Sequence, residues 1–563
     1  MSCSRHSSGN GKELQMSRIE DQLKEEFARA AAAALELPVT AGDIELSLSR
    51  DKAHGDYATN CAMKLAKRAG LRPREAAEKI AAVFAADSVN AEKLEIAGPG
   101  FLNVFMKHDS LQSVIPAVLA AGSQWGCSDS GHGERIMVEF VSANPTGDLH
   151  PGHARGAAIG DSLCRMMKKA GYDVLPEYYI NDAGNQINNM AKSLQARYLQ
   201  ACGIDAEVPE DGYHGADLIQ IAAVMKEEAG DKYAQMTKEE SLPYFRAYGL
   251  QAEIAKLKAD LDEFRVHFDV WTSEQSLYDR GLVRDALDVL RGMGRIYEAD
   301  GALWLRTADF GDDKDRVLIK SDGAYTYFTS DIAYHMDKYN RGYTKLIDLW
   351  GADHHGYIAR VQAALTALGL PENTLEVEII QMARLIKDGQ EFKMSKRSGR
   401  SVALRDLMDE AGVDAVRYFF ASRAADTQMD FDLDMATKRS NENPVYYAQY
   451  AHARMCSVLE KAGETAGCEK YDLITTEKEL TLLKLMNEFP QVIADAAASR
   501  MPHKMVNYIA RFAQAFHSYY NESKIVDPGN PEQSAQRVAL VQACEITLKN
   551  ALDCIGVSAP EHM

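Results

Sequence analysis

The periodicity of hydrophobic and polar positions changes along the chain and divides it into three stretches. The first opens with SRIEDQLKEEFARAAAAALEL, an Ala-rich segment with early acidic residues that predicts a helix from Ser17 to about Leu37. IELSLSRDKAHGDYATN alternates like a strand and breaks at Gly55, and KLEIAGPGFLNVFM predicts two strands joined by a Gly-Pro-Gly turn. Two short helices are predicted between them, so we expect a small α+β domain over residues 16–107.

The second stretch alternates strands with helices. RIMVEFV predicts a buried strand, HARGAAIGDSLCRMMKKAG a helix and DVLPEYYIND the next strand, which favours a doubly wound, Rossmann-like parallel sheet in an α/β domain over residues 108–400. Residues 200–275 are charged and helical, and we interpret them as an insertion. Later strands are predicted at ALWLRT, RVLIKS, AYTYFTSD, KLIDLWGAD and EVEIIQMARLI. Residues 401–563 have an almost purely helical pattern and predict an α-helical bundle domain.

Composition limits the cellular locations and the binding partners that we expect for this protein. The sequence contains no apolar run long enough to span a membrane, and its nine cysteines form no C-x-x-C pair, so we expect a cytoplasmic protein without a zinc site. A formal net charge of −19 opposes nonspecific nucleic-acid binding, although local basic patches still allow a specific nucleic acid. Residues 1–15 are polar and rich in Ser and Gly, and they predict a disordered leader, either vector-derived or native.

The first candidate for chemistry is the H-x-G-H motif of His150, Gly152 and His153, between a predicted strand and a predicted helix. Ligands bind at this edge of open α/β sheets, and the free N–H groups of a helix start favour an anion. Two imidazoles can donate hydrogen bonds to phosphate oxygens, and Gly152 lets a flat group approach the backbone. Taken alone, the motif fits a helix cap with surface histidines equally well.

A second motif, EFKMSKRSGRSV, follows about 240 residues later. A basic run of this kind is usually a solvated face, but two lysines flanking Met-Ser in a Gly-bearing loop can neutralise a leaving pyrophosphate. H-x-G-H early and K-M-S-K late form the signature of class I aminoacyl-tRNA synthetases. The sequence contains no P-loop, no dinucleotide fingerprint, no H-E-x-x-H and no nucleophile elbow.

The stretch VEFVSANPTGDLHPGH resembles the extended signature of arginyl-tRNA synthetases, in which E-F-x-S-x-N-P-T precedes the histidines. The resemblance runs from Met16 through GDYATN and AGPGFLNV, similar to that family's N-terminal module, to DAVRYFFASRAADTQMDFDLD and NPVYYAQYAHARM, similar to its anticodon-binding domain. The closing IGVSAPEHM also resembles that family's C-terminus. Pro151 departs from the family, which usually has Val or Ile at this position.

The resemblance implies ATP-dependent formation of arginyl-adenylate, followed by transfer to the terminal ribose of tRNA(Arg). Mg²⁺ would enter with ATP, no zinc or other protein-bound metal is expected, and a monomer that binds neither DNA nor membrane is predicted. Implied catalytic residues are His150, Gly152, His153, Lys393, Met394, Ser395 and Lys396. Implied arginine contacts are Glu139, Asn144, Tyr327, Asp331, Asp353 and His354. Implied ATP contacts are Ala143, Pro145, Thr146, Gly147, His150, His153 and Lys396. Implied tRNA contacts are Phe101, Asn103, Arg439, Tyr446, Tyr447, Tyr450 and Arg454.

Several alternatives stay open at this level. The sequence does not decide whether Glu139 or Asp331 holds the guanidinium, and Glu139 also fits a strand-edge charge. Tyr327 and Asp331 are four apart and share a face if their segment begins a helix. The tyrosines near residue 447 fit either anticodon bases or packing against a neighbouring helix. Two other functions compete with this one. The chain could be a class I synthetase for another amino acid, or a small-molecule nucleotidylyltransferase that shares H-x-G-H.

Overall fold

A computed structural model describes residues 19–49, 54–392, 402–463 and 468–563. The predicted leader and the catalytic residues Lys393, Met394, Ser395 and Lys396 lie outside the described residues. Helices α1–α20 and strands β1–β15 are numbered below in chain order.

The N-terminal unit is a four-stranded antiparallel sheet of order β1-β2-β4-β3 covered by helices. Its elements are α1 (Ile19–Leu35), β1 (Leu46–Leu48), β2 (Tyr57–Thr59), α2 (Cys61–Ala69), α3 (Pro73–Asp87), β3 (Ala91–Ala97) and β4 (Phe101–Met106). The Phe27 and Phe84 rings stack between α1 and α3 with centroids 4.1 Å apart. The predicted first helix and the final hairpin are both confirmed.

The central unit is a five-stranded parallel sheet of order β12-β11-β5-β6-β7. It follows α4 (His108–Gln112) and α5 (Val114–Ala121) and comprises β5 (Arg135–Glu139), α6 (Pro151–Lys169), β6 (Asp173–Ile180), α7 (Asn185–Ala201), α8 (Ala216–Ala229), α9 (Lys238–Glu263), β7 (Val270–Ser273), α10 (Glu274–Asp279), α11 (Leu282–Gly292), α12 (Tyr327–Asn340), β11 (Lys345–Gly351), α13 (Ile358–Ala367) and β12 (Leu375–Ile380). Strand order reverses between β5 and β11, and such a switch point opens a crevice for ligands at the carboxyl ends of the strands.

Two sequence predictions in this unit are wrong. AYTYFTSD was predicted as a strand, but Tyr325 makes only an isolated bridge to Ile319 and α12 begins at Tyr327. Alternating aromatic and small residues over so short a run fit either structure. Strand β7 lies within residues 200–275, which were predicted as a helical insertion, and it pairs with β6 at the edge of the sheet.

Antiparallel strands β8 (Ile296–Ala299), β9 (Ala302–Leu305) and β10 (Arg316–Ile319) form a separate small sheet before α12. After β12, the short strands β13 (Ala383–Lys387), β14 (Gln390–Glu391) and β15 (Met429–Asp432) form a third sheet. The remaining helices are α14 (Leu404–Ala411), α15 (Val413–Ala421), α16 (Leu433–Thr437), α17 (Pro444–Ala462), α18 (Glu477–Ala498), α19 (His503–Glu522) and α20 (Pro531–Cys554). Among the described helices, none is both long and apolar enough to cross a bilayer.

Candidate active site

The two histidines of the H-x-G-H motif form a stacked pair at the start of α6. His150 caps the helix, and its Nδ1 accepts the backbone N–H groups of Gly152 at 3.0 Å and His153 at 3.3 Å. The backbone N–H of His150 in turn donates to Nδ1 of His153 at 3.3 Å, and the ring centroids are 3.5 Å apart. Because each Nδ1 accepts, each neutral ring carries its hydrogen on Nε2.

Burial keeps both rings neutral. Burial, with a further effect of the neighbouring His150, lowers the pKa of His153 to about 3, and burial also lowers the pKa of His150. A Cβ on Gly152 would lie 2.8 Å from Cε1 of His150, so only glycine fits beneath the stacked ring. The motif therefore offers two Nε2–H donors at a helix N-terminus, which is an arrangement suited to phosphate oxygens.

A buried arginine connects this helix to the strands that precede Lys393 in the sequence. Arg155, one turn into α6, donates to the carbonyl oxygens of Gln381 at 2.6 Å and Ala424 at 2.7 Å. Burial lowers the pKa of Arg155 to about 10. Gln381 lies between β12 and β13, so a single side chain joins the start of α6 to the small sheet that leads to the second motif.

The loop between β5 and α6 contains the predicted ATP contacts. Val141 and Ser142 have φ angles of +70° and +37°, a left-handed conformation that costs a non-glycine residue of order 1–3 kcal/mol. The carbonyl of Ala143 accepts the hydroxyl of buried Tyr178 at 2.9 Å, and the exposed Asn144 donates to Oε1 of Gln186 at 2.8 Å. Of the other predicted contacts, Pro145 is buried, and Thr146 and Gly147 are half-buried. We call residues 143–147 the ATP loop, which also contains the predicted arginine contact Asn144.

Four buried ionisable side chains form a hydrogen-bonded group beneath this loop. This group, called here the Lys338 cluster, contains Glu139, His335, Lys338 and Asp348. The Lys338 ammonium donates to Oε2 of Glu139 and, at 3.0 Å, to Oδ1 of Asp348, while Nε2 of His335 lies 2.9 Å from Oδ2 of Asp348. Burial opposes charge on Lys338 and Asp348, but their mutual attraction outweighs it, raising the pKa of Lys338 and lowering that of Asp348.

A second group consists of two carboxyl groups, those of buried Glu274 and half-buried Asp331. Asp331 accepts the hydroxyl of Tyr357 at 2.6 Å, and Glu274, the first residue of α10, lies 3.4 Å from the hydroxyl of Tyr278. Burial raises the pKa of both carboxyl groups, and the Asp331 charge raises that of Glu274 further. Among the described residues, no lysine, arginine or histidine side chain lies within ion-pair distance of either. We call Asp331 and Glu274 the acidic pair.

Of the other predicted arginine contacts, Tyr327 is nearest in the chain to the acidic pair. It opens α12 with 58% of its surface exposed, one turn before Asp331, and a Cβ on Gly184, the residue before α7, would lie 3.2 Å from its hydroxyl. Asp353 and His354 are exposed in the turn after β11, where the Asp353 charge acts on His150. Glu274 was missed in the sequence, although its position directly after a strand of the sheet could have indicated it.

The predicted tRNA contacts fall into two groups. Phe101 is 41% exposed at the start of β4 and Arg439 is exposed before α17, whereas Asn103 is only 5% exposed. The burial of Asn103 disfavours the direct contact expected of its side chain. Arg439 and Phe101 remain predictions.

The tyrosines of α17 are partly engaged in helix packing. The Tyr447 ring lies 4.3 Å from that of His517 on α19, and Arg454 lies over the ring of Tyr450 at 4.5 Å. Tyr446 stacks with Tyr450 at 6.1 Å. The three tyrosines and Arg454 keep part of their surface exposed, so they pack against neighbours and still offer ring edges and a guanidinium to a partner.

Within the described part of the chain, one group of side chains has metal-ligating potential. The ligand atoms of His452, Cys456 and Glu545 all lie within 4.8 Å of one another. However, Nδ1 of His452 lies 2.9 Å from the carbonyl oxygen of Pro560 and Nε2 lies 3.0 Å from Glu545. Both ring nitrogens already have protein partners, and the group ties the C-terminal segment to α17 and α20.

Comparison with known proteins agrees with this architecture. Residues 114–455 match the family model described as the catalytic domain of class I tRNA synthetases (R), so the sheet and its switch point define a class I aminoacyl-tRNA synthetase. Residues 19–106 match the arginyl tRNA synthetase N-terminal domain, and residues 448–563 match the DALR anticodon binding domain.

Full-length relatives identify the family. The chain is 56% identical over 551 residues to an arginine–tRNA ligase of Bacillus subtilis, covering 97% of this chain and 99% of that protein, and 55% identical over 556 residues to one of Geobacillus kaustophilus, with the same coverage. The arginyl-tRNA synthetase structure of Thermus thermophilus shares its fold, with a TM-score of 0.75 at 23% identity over 97% of this chain and 100% of that one. The chain belongs to the arginyl-tRNA synthetase family.

Proposed function

We propose that the chain ligates L-arginine to tRNA(Arg) in two steps at the carboxyl edge of the parallel sheet. In the first step the arginine carboxylate attacks the α-phosphorus of ATP, the bond to the β-phosphate oxygen breaks, and pyrophosphate leaves. In the second step a hydroxyl of the terminal tRNA ribose attacks the carbonyl carbon of the adenylate and AMP leaves. No side-chain nucleophile is needed, because positioning and electrostatics can supply the rate enhancement.

The acidic pair is the observation that carries this proposal. A guanidinium is planar and always charged, and it binds carboxylates through several N–H donors. Glu274 is buried and Asp331 is half-buried, and no described cationic side chain lies within ion-pair distance of either carboxyl group, so a bound guanidinium would supply the missing charge. Glu139, in contrast, already accepts hydrogen bonds from Lys338 and Ser142. We therefore assign the guanidinium to Asp331 together with Glu274.

The phosphates of ATP are assigned to the other end of the crevice. The Nε2–H groups of His150 and His153 would donate to phosphate oxygens, and the ATP loop would line the nucleotide. Mg²⁺ enters as part of the substrate MgATP, held mainly by phosphate oxygens and water. Lys393 and Lys396 would stabilise the outgoing pyrophosphate, an assignment that rests on the family signature.

The helical domain and the N-terminal domain would bind tRNA(Arg). The half-exposed aromatic and basic side chains of α17 suit unstacked anticodon bases, and Phe101 offers an exposed ring on the N-terminal domain. The described cysteines are all free thiols, which supports a reducing, cytoplasmic location. We expect a monomer that uses neither DNA nor membrane.

Arginine-dependent exchange of pyrophosphate into ATP tests the proposal. The assay is run with and without tRNA(Arg), with lysine and citrulline as competing amino acids. We expect exchange with arginine alone, since the uncharged citrulline leaves buried carboxylates unpaired. Exchange with lysine but not arginine would point to another class I substrate. Failure to exchange with any amino acid, with tRNA and Mg²⁺ present, would overturn the synthetase function.

A further inference from the structure

The Lys338 cluster joins two strands at the switch point of the sheet. Glu139 at the end of β5 lies directly opposite Asp348 of β11 in the parallel register. Two carboxylates side by side on adjacent strands repel each other, and the repulsion is strong where burial excludes water. Lys338 is fully buried between them and donates to both. The cluster can therefore be packed beneath the crevice without a substrate cation.

Each carboxylate of the cluster has partners within it. Lys338 donates to Glu139 and Asp348, and the two ring nitrogens of His335 lie against oxygen atoms, a carboxylate oxygen of Asp348 on one side and the carbonyl of Asp331 on the other. Removing one partner from such a buried group leaves an uncompensated charge, which is far more costly than replacing the group as a whole.

Glu139 also holds the strained turn that leads into the ATP loop. Its Oε1 accepts the hydroxyl of Ser142 at 2.9 Å, and the Ser142 oxygen accepts the backbone N–H of Tyr179 on β6 at 3.1 Å. Both carboxylate oxygens of Glu139 thus have donors. Val141 and Ser142 hold positive φ angles that persist only where neighbouring contacts over-determine them.

We propose that Lys338 is a positioning residue for the ATP loop, acting through Glu139 and Ser142, and that Glu139 is a tether and not a ligand of arginine. The inference rests on the proposed function, because it assigns ATP to residues 143–147. Lys338 touches neither substrate. It binds Asp348 and Glu139, and Glu139 in turn binds Ser142, which contacts β6. These contacts together hold the conformation of the turn before the loop.

A charge-balanced double variant, Lys338→Met with Glu139→Gln, tests the role of Glu139. Methionine fills the space of the lysine stem, and the glutamine oxygen can still accept the Ser142 hydroxyl. We expect the arginine dissociation constant, measured by titration calorimetry with tRNA present, to stay within about threefold of the unsubstituted chain, since the net charge of the cluster is unchanged. Loss of arginine affinity as large as in Asp331→Asn would make Glu139 a ligand and overturn the inference.

Two single variants test the tether itself. In Lys338→Met, with its charges unbalanced, we expect the dissociation constant of MgATP to rise about tenfold or more, because small misplacements of positioning groups are costly. In Ser142→Ala the charges stay balanced and only the tether is cut, so MgATP binding should weaken several-fold with little change in melting temperature. Unchanged MgATP affinity in Ser142→Ala would overturn the proposal.

A matched control variant distinguishes a loss of ATP-loop positioning from a general loss of folding stability. Arg537→Met removes the cationic partner of Glu479, a buried carboxylate in the helical domain. It should lower the melting temperature and leave MgATP affinity unchanged, and an equal loss of affinity in this variant would reduce Lys338 to a structural role. If Lys338→Met fails to fold, Ser142→Ala still decides whether the tether acts, because it leaves the charged groups unchanged. MgATP binding is measured without turnover, so the tether is judged even if arginine charging itself fails.

Discussion

Two groups of acidic side chains lie at or beneath the crevice and differ in the partners of their carboxyl groups. In the Lys338 cluster each carboxylate is bound to a lysine or histidine of the chain. The acidic pair has hydroxyl neighbours and, among the described residues, no cation within ion-pair distance. Burial raises the pKa of both its members, as it does that of Glu139, so the partners distinguish the two groups. One group is complete without substrate, and the other is incomplete.

This difference distinguishes carboxylates that are paired within the fold from carboxylates that are left to pair with a ligand. Buried carboxylates are costly unless paired, so a pair left uncompensated indicates a cation that arrives from outside. Glu139 and Asp331 looked alike in the sequence, and only their partners distinguish them. The comparison also accounts for selectivity between amino acids. When an uncharged analogue of arginine binds, the carboxylates of the acidic pair stay without a cation, and this costs binding free energy.

The largest expected effect comes from removing one charge of the acidic pair. Asp331→Asn should lower kcat/KM for arginine by about 10²-fold or more, because it removes a buried charged hydrogen-bond partner of the guanidinium. The measurement is the charging rate over a range of arginine concentrations at saturating ATP. The KM for ATP should change little, since the phosphates bind at the other end of the crevice.

Asp337 on the same helix provides the matched control. Its carboxylate pairs with Arg280 and Arg341 instead of facing the crevice. Asp337→Asn should cost some stability and leave the arginine KM within about threefold, as is usual for changes away from the ligand. Equal losses in both variants would mean that the helix, and not the Asp331 carboxylate, carries the effect.

A smaller effect is expected from the linkage between arginine binding and the protonation of the acidic pair. Because the carboxyl pKa values of the acidic pair are raised, the folded chain holds protons that the unfolded chain has released, and its free energy of unfolding falls as pH rises through this window. Arginine binds the ionised pair, so its binding should release protons and restore stability increasingly as pH rises above the ordinary carboxyl pKa. Calorimetry in buffers of different ionisation enthalpy measures the release. Glu139→Gln should retain the release, and Glu274→Gln should reduce it.

The smallest effect is expected at the strained turn. Val141→Gly relieves the positive φ of a β-branched residue but makes the unfolded chain more flexible, so the free energy of unfolding should change by no more than about 1 kcal/mol. The MgATP dissociation constant should rise a few-fold as the loop gains freedom. A tighter complex with MgATP would contradict the view that this turn is held in its binding conformation. Chemical denaturation and calorimetry give the two quantities.

The sequence predicted the parts of the site that are contiguous. His150, Gly152 and His153 lie in one motif, and strand-helix alternation was sufficient to place them at the carboxyl edge of a parallel sheet. Tyr327 and Asp331 share a face of α12, which was foreseen only for the case that their segment begins a helix.

Partners that are distant in the sequence could not be found in this way. The pairing of Glu139 with Lys338 spans 199 residues and depends on how α12 packs beneath β5 and β11. Glu274 carries no motif and becomes a candidate only when β7 joins the sheet. Periodicity also failed for AYTYFTSD, where an isolated bridge and a helix start share one short run of residues.

Arg155 has a consequence for how the fold can vary. By donating to the carbonyls of Gln381 and Ala424, it fixes the start of α6 relative to the segments that follow β12 and α15. This contact acts directly through space, so the length of intervening helices such as α8 and α9 does not enter it. A change in the length of those helices leaves the H-x-G-H motif at the same distance from the small sheet of β13, β14 and β15.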